Sequence, residues 1–160
     1  MTEPNDAGRG ANVRFPPPFV FLGFALVGVG LRYAAMPIRF PVDRFVTISA
    51  GIAAIAAAFA LLLAARNLFA RTGQNPRPWT PTPELVLAGP YRYTRNPMYV
   101  GMTLLQIGLG LAFDNAWIVL LAPAALLVVH AIAVVPEERY LTAKFGADYT
   151  AYRARVRRYI

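Results

Sequence analysis

The sequence contains no cysteine and only a single histidine. The lack of cysteine excludes disulfides, thiolate nucleophiles, zinc–thiolate sites and lipid attachment at a cysteine. One histidine cannot build a multi-histidine metal site, so we predict that the protein binds no metal ion. Acidic residues are also scarce, because eight Asp and Glu stand against sixteen Lys and Arg and leave a net charge of +8.

The excess of positive charge does not indicate nucleic-acid binding in this chain. Hydrophobic residues make up 57% of the 160 residues, which is too apolar for an ordinary soluble domain. The basic residues flank uncharged apolar runs, and this arrangement is typical of membrane proteins that face anionic lipid. We therefore predict a lipid bilayer as a partner and no nucleic-acid partner.

Four uncharged apolar runs predict an all-α, polytopic membrane bundle with about four transmembrane helices. Phe45–Ala65 is the clearest run, because it would form about 31 Å of helix and match the hydrocarbon core of a bilayer. The polar residues 1–14 are predicted to be a disordered tail, and residues 15–160 a single membrane domain. The predicted spans are residues 15–32, 45–65, 98–113 and 116–135.

Short polar breaks set the connections between these spans. Asp114-Asn115 leaves room only for a tight turn, so the third and fourth spans are predicted to form an antiparallel helical hairpin. Arg66 is predicted to end the second span, Pro136 to open an amphipathic C-terminal helix, and Gly146 to stop it. Small residues within the spans are predicted to allow close helix packing, since no strand precedes the glycines as in a nucleotide-binding motif. These small residues are Gly28, Gly30, Gly51, Ala54, Ala57, Ala58, Gly108 and Gly110.

The distribution of charge predicts the orientation in the membrane. Four spans place the N-terminal tail, residues 66–97 and the C-terminal helix on one side. Of the sixteen Lys and Arg, only Arg32, Arg39 and Arg44 lie on the other side. By the positive-inside rule the first side is the cytoplasm. We predict an integral protein of the plasma membrane (the inner membrane if bacterial), with both termini cytoplasmic.

The segment Gly89–Gly101 concentrates the chemistry of the chain, with two arginines, three tyrosines and two prolines. The prolines stiffen it, and tyrosine rings together with guanidinium groups can surround one small ligand. An interfacial belt is the alternative interpretation, because Tyr and Arg both collect at the level of the lipid headgroups.

An acidic pair, Glu137-Glu138, follows the hairpin and is therefore predicted to lie on the same side as Gly89–Gly101. Arg92 and Arg95 suit a carboxylate or phosphate, whereas the two glutamates suit an ammonium group. S-adenosylmethionine is zwitterionic, aromatic and a sulfonium, so it would use all of these groups. Methyl transfer from it requires alignment and a dry pocket more than an acid–base relay. Stabilisation of a helix start is the alternative role of the glutamates.

Two motifs support this reading: Gly-Pro-Tyr-Arg-Tyr-Thr-Arg-Asn-Pro-Met-Tyr-Val-Gly at 89–101 and, beyond the apolar hairpin, Glu-Glu-Arg-Tyr-Leu at 137–141. With them, residues 73–160 resemble the C-terminal half of the isoprenylcysteine carboxyl methyltransferase family, which is related to the membrane phospholipid methyltransferases. The resemblance implies S-adenosylmethionine as the cofactor, with donor-site elements at 73–101 and 136–156. Asn96 stands where the eukaryotic members carry histidine, so a cationic imidazolium is absent from that position.

The resemblance and the residue chemistry together give two groups of candidate site residues. His130 is included because ionisable residues within spans are functional candidates, although a hydrogen-bonded structural histidine is the alternative. Arg153, Arg155, Arg157 and Arg158 are instead predicted to form a lipid-headgroup patch, with contact to the ligand as the alternative for Arg153. The catalytic candidates are Arg95, Asn96, Glu138 and His130. The donor-binding candidates are Leu85, Val86, Tyr91, Arg92, Asn96, Pro97, Tyr99, Glu137 and Glu138.

The function predicted from the sequence is that of an integral membrane methyltransferase that uses S-adenosylmethionine. It is predicted to be isoprenylcysteine carboxyl methyltransferase-like and to act on a lipid-like or small apolar acceptor. The alternatives are a phospholipid N-methyltransferase, a small-thiol S-methyltransferase, an NADPH-dependent membrane reductase and a non-enzymatic membrane adaptor. The chain is short for a reductase of that kind.

Overall fold

A computed structural model describes residues 11, 13, 15–34, 37–71, 73, 75, 77 and 79–159. It confirms the all-α prediction, because the described residues form no strand beyond one isolated bridge between Thr94 and Arg157. A 3₁₀ turn at Gly89–Arg92 precedes the third helix, and a π-helical turn at His130–Val134 joins the last two. The predicted tail at 1–14 lies outside the described residues except for Ala11 and Val13. The helices are α1 (Pro17–Ala34), α2 (Arg44–Arg71), α3 (Pro97–Ala112), α4 (Ala116–Val129) and α5 (Val135–Arg155).

The hairpin of α3 and α4 forms the centre of the bundle. Helix α2 packs on α3, and α1 packs on α4. Asp114 turns the chain with a φ of 48°, and the side chain of Asn115 accepts a hydrogen bond from the Trp117 N–H at the start of α4. The Asn115 amide also donates to the Gly28 carbonyl of α1. The predicted tight turn and helical hairpin are thus confirmed.

Glycines bring the backbones of α2 and α3 into direct contact. A Cβ atom added to Gly51 would lie 2.5 Å from the Ala112 nitrogen and 2.8 Å from the Gly108 oxygen. The predicted small face of α2 is partly right, because Gly51 and Ala58 are buried but Ala57 is exposed. At about 100° per residue, Ala57 lies on another side of the helix from Gly51.

The other glycines confirm the packing interpretation, with one exception. Added Cβ atoms at Gly28 and Gly110 would collide with the backbone nitrogens of Ile118 and Val119, at 2.8 Å and 3.0 Å. Gly30 has open space around it, so it makes no close helix contact.

The outside of the bundle is apolar. Phe45, Leu26 and Leu127 expose 78%, 61% and 70% of their surface, which a soluble bundle would bury. Three helical stretches are long and apolar enough to cross a membrane: α1, α2 and the continuous helix Ala116–Arg155. Helix α3 is shorter, with 16 residues. The protein is therefore an integral membrane helical bundle.

Two helices run further than the sequence suggests. Helix α2 continues beyond Arg66 to Arg71, so Arg66 does not end the helix. Gly146 does not end α5 either; it has a φ of 49° and a ψ of −115°, which kinks the helix before it resumes. Neither the exposed Arg66 nor Gly146 therefore ends its helix, and Gly146 only bends α5.

The π-helical turn before α5 accommodates Pro136. Proline has no N–H, and its ring clashes with the carbonyl four residues earlier in an α-helix. Here the backbone hydrogen bond spans five residues and not four, because the Val135 N–H donates to the His130 carbonyl. One extra residue in a turn rotates everything that follows by about 100°. The turn therefore sets the direction of Glu137 and Glu138.

Replacement of Gly51 by alanine tests the contact between α2 and α3. Overpacking of this kind costs typically about 1–3 kcal/mol, so we expect a lower melting temperature in thermal unfolding of the detergent-solubilised protein. Gly23→Ala is the matched control, because no atom lies within 4 Å of its added Cβ. A melting temperature for Gly51→Ala equal to that of the control would contradict the close contact.

Candidate active site

A cavity of about 250 Å³ lies at the end of the hairpin away from Asp114, between the 73–97 connection, the start of α3 and α5. It brings together the segment Gly89–Gly101, which we call the Tyr/Arg segment, and the acidic pair Glu137-Glu138, as the sequence predicts. Its apolar wall along α3 includes Met98 and Met102. The predicted site residues that line it are Leu85, Val86, Tyr91, Arg95, Asn96, Pro97, Tyr99, Glu137 and Glu138.

At one side of the cavity, the carboxylate of Glu138 pairs with the side chains of two arginines. Arg95 Nη1 lies 2.9 Å from Glu138 Oε1. Arg158 donates from Nε and Nη2 to the two carboxylate oxygens at 2.9 Å and 2.8 Å. Burial alone would raise the pKa of Glu138, but the Arg158 hydrogen bonds and the charges of Arg95, Arg158 and Arg153 hold this pKa below its usual value. Glu138 is therefore ionised, and its charge is balanced within the protein.

Glu137 has a different environment. Its Oε1 accepts a hydrogen bond of 2.7 Å from the Tyr99 hydroxyl, and no basic side chain pairs with it in the part of the chain that the structure describes. Burial raises the pKa of Glu137 to about 7, helped by the charge of Glu138 and opposed by the Tyr99 hydrogen bond. Of the two glutamates, Glu137 is thus the one whose charge a cationic ligand would balance.

Arg95 carries a buried donor without an acceptor. Its Nε and Nη1 make no hydrogen bond to any described residue, although the side chain is buried; Nη1 lies within ion-pair distance of Glu138, whereas Nε has no such contact. A buried unpaired donor costs about 1–3 kcal/mol, and native proteins rarely retain one without a reason. Because Arg95 lines the cavity, an anionic group of a ligand could supply the missing acceptor.

Tyrosines form much of the remaining wall. Tyr149 and Tyr152 are buried, and the Tyr152 hydroxyl donates to the Tyr91 carbonyl at 2.7 Å. Burial and the nearby charge of Glu137 raise the pKa of Tyr91 far above its usual value, so its hydroxyl remains neutral. The Tyr140 hydroxyl accepts from the Thr82 N–H at 3.2 Å, which fixes the proline-rich connection against α5.

Neither Arg92 nor His130 lies on the cavity wall, although both are among the predicted site residues. Arg92 is exposed; it follows Tyr91 in the 3₁₀ turn, where neighbouring side chains point about 120° apart. His130 Nδ1 and the Tyr159 hydroxyl share a hydrogen bond of 2.9 Å. This hydrogen bond is compatible with both roles predicted for His130, so its role stays a prediction.

Sequence reasoning missed the contribution of Arg158, which it assigned to a lipid-headgroup patch. The Arg158 carbonyl accepts hydrogen bonds from Thr94 Oγ1 and Asn96 Nδ2, both at 3.0 Å. Four arginines lie within residues 153–158, and nothing in their spacing indicates that Arg158 is the one that pairs with Glu138.

The phospholipid methyltransferase family model matches residues 46–148. This range covers α2, the connection, the hairpin and the start of α5, and it includes the predicted site residues that line the cavity. The chain belongs to the phospholipid methyltransferase family. No curated protein and no solved structure matches the chain. Membership confirms the prediction of a membrane methyltransferase.

The raised pKa of Glu137 predicts a pH-dependent stability. The folded protein holds this proton up to about pH 7, whereas an unperturbed glutamate releases it near 4.5. The stabilisation is therefore fully present below pH 4.5 and is lost as the pH rises through about 7. We expect the melting temperature to fall across this range in the parent, and to fall less in Glu137→Gln.

Asp148→Asn is the control for this experiment, because it removes an exposed carboxylate from the same helix. It should retain the pH dependence of the parent. Equal slopes of melting temperature against pH in Glu137→Gln and the parent would show that Glu137 is not the titrating group.

Proposed function

We propose that the cavity binds S-adenosylmethionine and that the protein transfers its methyl group to a lipid acceptor. The proposal rests on two groups of opposite charge, the Arg95 guanidinium and the Glu137 carboxylate, that line the same cavity. Among the described residues, the buried Arg95 Nε has no acceptor, and no basic side chain pairs with the carboxylate of Glu137. A ligand with a carboxylate and an ammonium group would satisfy both.

The residues present fit this donor. Arg95 Nε would receive its carboxylate and Glu137 its ammonium group, which would favour the ionised form of Glu137. The rings of Tyr91 and Tyr99 can contact an aromatic base or a sulfonium, and Leu85 and Val86 offer apolar surface for the adenosine. The cavity of about 250 Å³ is close to the lower end of the range for small-molecule sites, about 300–1,000 Å³.

The chain's own residues would mainly bind and orient. The donor, when bound, supplies an activated methyl group that is released by in-line displacement. The ion pair of Arg95 and Glu138 holds the cationic wall in place, and the hydrogen bond of Thr82 to Tyr140 holds the proline-rich connection over the site. Both contacts would exclude water and fix the alignment, which are the contributions that methyl transfer requires of a protein.

A phospholipid amine is the acceptor that the family match favours. Met98 and Met102 extend the cavity wall along α3, which supports a lipid-like acceptor over a small thiol. An isoprenylcysteine-type carboxylate is the second candidate, because the 89–101 and 137–141 motifs resemble those of that family. The basic residues at this end of the bundle support a cytoplasmic site with both termini on the cytoplasmic side.

Titration of the purified protein with S-adenosylhomocysteine and, separately, with NADPH tests the donor assignment. We expect saturable binding of S-adenosylhomocysteine by isothermal titration calorimetry and none of NADPH. Glu137→Gln removes a charged partner from a buried site, so we expect a loss of about 1–3 kcal/mol in binding free energy. Asp148→Asn, on the same helix but exposed, should bind like the parent.

Two outcomes would contradict the proposal. Binding of NADPH alone would indicate a membrane reductase. Binding of neither compound would favour an adaptor without a ligand site.

A further inference from the structure

The last described residues of the chain, Val156–Tyr159, pack against residues 94–96 and Glu138; we call them the C-terminal strap. We propose that Arg158 of this strap is a positioning residue that holds Glu138, Arg95 and Asn96 in the geometry needed for donor binding. This inference rests on the donor site proposed above. The strap itself lies beyond the matched range 46–148.

The backbone of the strap pairs with the Tyr/Arg segment. Thr94 and Arg157 form a parallel bridge, and the Arg95 N–H donates to the Arg157 carbonyl at 2.9 Å. Val156 leaves helix α5 with extended dihedral angles, a φ of −116° and a ψ of 130°. The strap is therefore fixed against residues 94–96 by backbone pairing that does not depend on its arginine side chains.

The Arg158 carbonyl extends this pairing to two side chains. It accepts from Thr94 Oγ1 and from Asn96 Nδ2, both at 3.0 Å. Asn96 is 8% exposed and lines the cavity, so one of its amide hydrogens is committed to the strap. The position of Asn96 in the cavity wall is thus set by the C-terminal end of the chain.

The Arg158 side chain connects the strap to Glu138. Its two donors occupy both carboxylate oxygens of Glu138, and Glu138 Oε1 is also the ion-pair partner of Arg95. Planar, two-point pairing of this kind fixes orientation as well as distance. Arg158 therefore reaches the cavity through Glu138, and Arg95 depends on a carboxylate that Arg158 orients.

A lipid-headgroup role fits the neighbouring arginines better than Arg158. Arg153, Arg155 and Arg157 are exposed, whereas Arg158 is half-buried. Among the described residues, Arg158 is the one of these four with a carboxylate within ion-pair distance. Tyr159 anchors the far end of the strap by its hydrogen bond with His130 at 2.9 Å.

The test measures the dissociation constant of S-adenosylhomocysteine and the melting temperature for the purified full chain and its variants. Loss of a charged hydrogen-bond partner weakens an interaction by about 10- to 100-fold, so we expect a loss of that size for Arg158→Ala. Arg158→Lys keeps the charge but not the two-point pairing, and it should recover part of the loss. Arg155→Ala should bind like the parent, because the exposed Arg155 side chain donates to the Ala151 carbonyl of its own helix.

A double-mutant cycle separates positioning from general stability. If Arg158 acts through Glu138, the loss in Arg158→Ala combined with Glu138→Gln should be clearly smaller than the sum of the two single losses in binding free energy. Additive losses, or parent-like binding by Arg158→Ala, would overturn the inference. Should Arg158→Ala not fold, parent-like binding by Arg158→Lys would overturn it and weakened binding by the folded lysine variant would support it. Failure of the parent itself to bind would reject the proposed function, which is a distinguishable result.

Discussion

The buried ion pair between Arg95 and Glu138 is the contact on which the site depends, because it joins two segments separated by the whole α3–α4 hairpin. Burial of such charges is costly unless each is paired and oriented. Arg158 meets this requirement for Glu138 by occupying both oxygens. Among the residues that the structure describes, Arg95 Nε has no acceptor and Glu137 has no cationic partner, and both residues line one cavity.

Two features of the helix backbones position the side chains of the site. Glycines at the α2–α3 contact bring the backbones together, so that α3, with its 16 residues, packs closely against α2. The π-helical turn before Pro136 then sets the rotation of the last helix. Without the extra residue in that turn, Glu137 and Glu138 would point about 100° away from their present direction. The π-helical turn thereby determines which side chains meet Tyr99 and Arg95.

Much of this arrangement could be predicted from the sequence, for physical reasons. Uncharged runs of bilayer length predict the spans, and Asp114-Asn115 is too short for anything but a hairpin. That hairpin already places Gly89–Gly101 beside the acidic pair. The distinct environments of Glu137 and Glu138 could not be predicted, because they depend on the rotation imposed by the π-helical turn. The inward position of Arg158 and the outward position of Arg92 depend on tertiary contacts, and local sequence does not specify these.

The most direct test of the account is photochemical attachment of radiolabelled S-adenosylmethionine to the purified protein, followed by mapping of the labelled peptides. The account predicts label in peptides from 85–102 and 137–152, which contain the cavity wall, and loss of that label when excess S-adenosylhomocysteine is present. Label confined to other parts of the chain, or label that the excess compound does not displace, would contradict a donor site between the Tyr/Arg segment and the last helix.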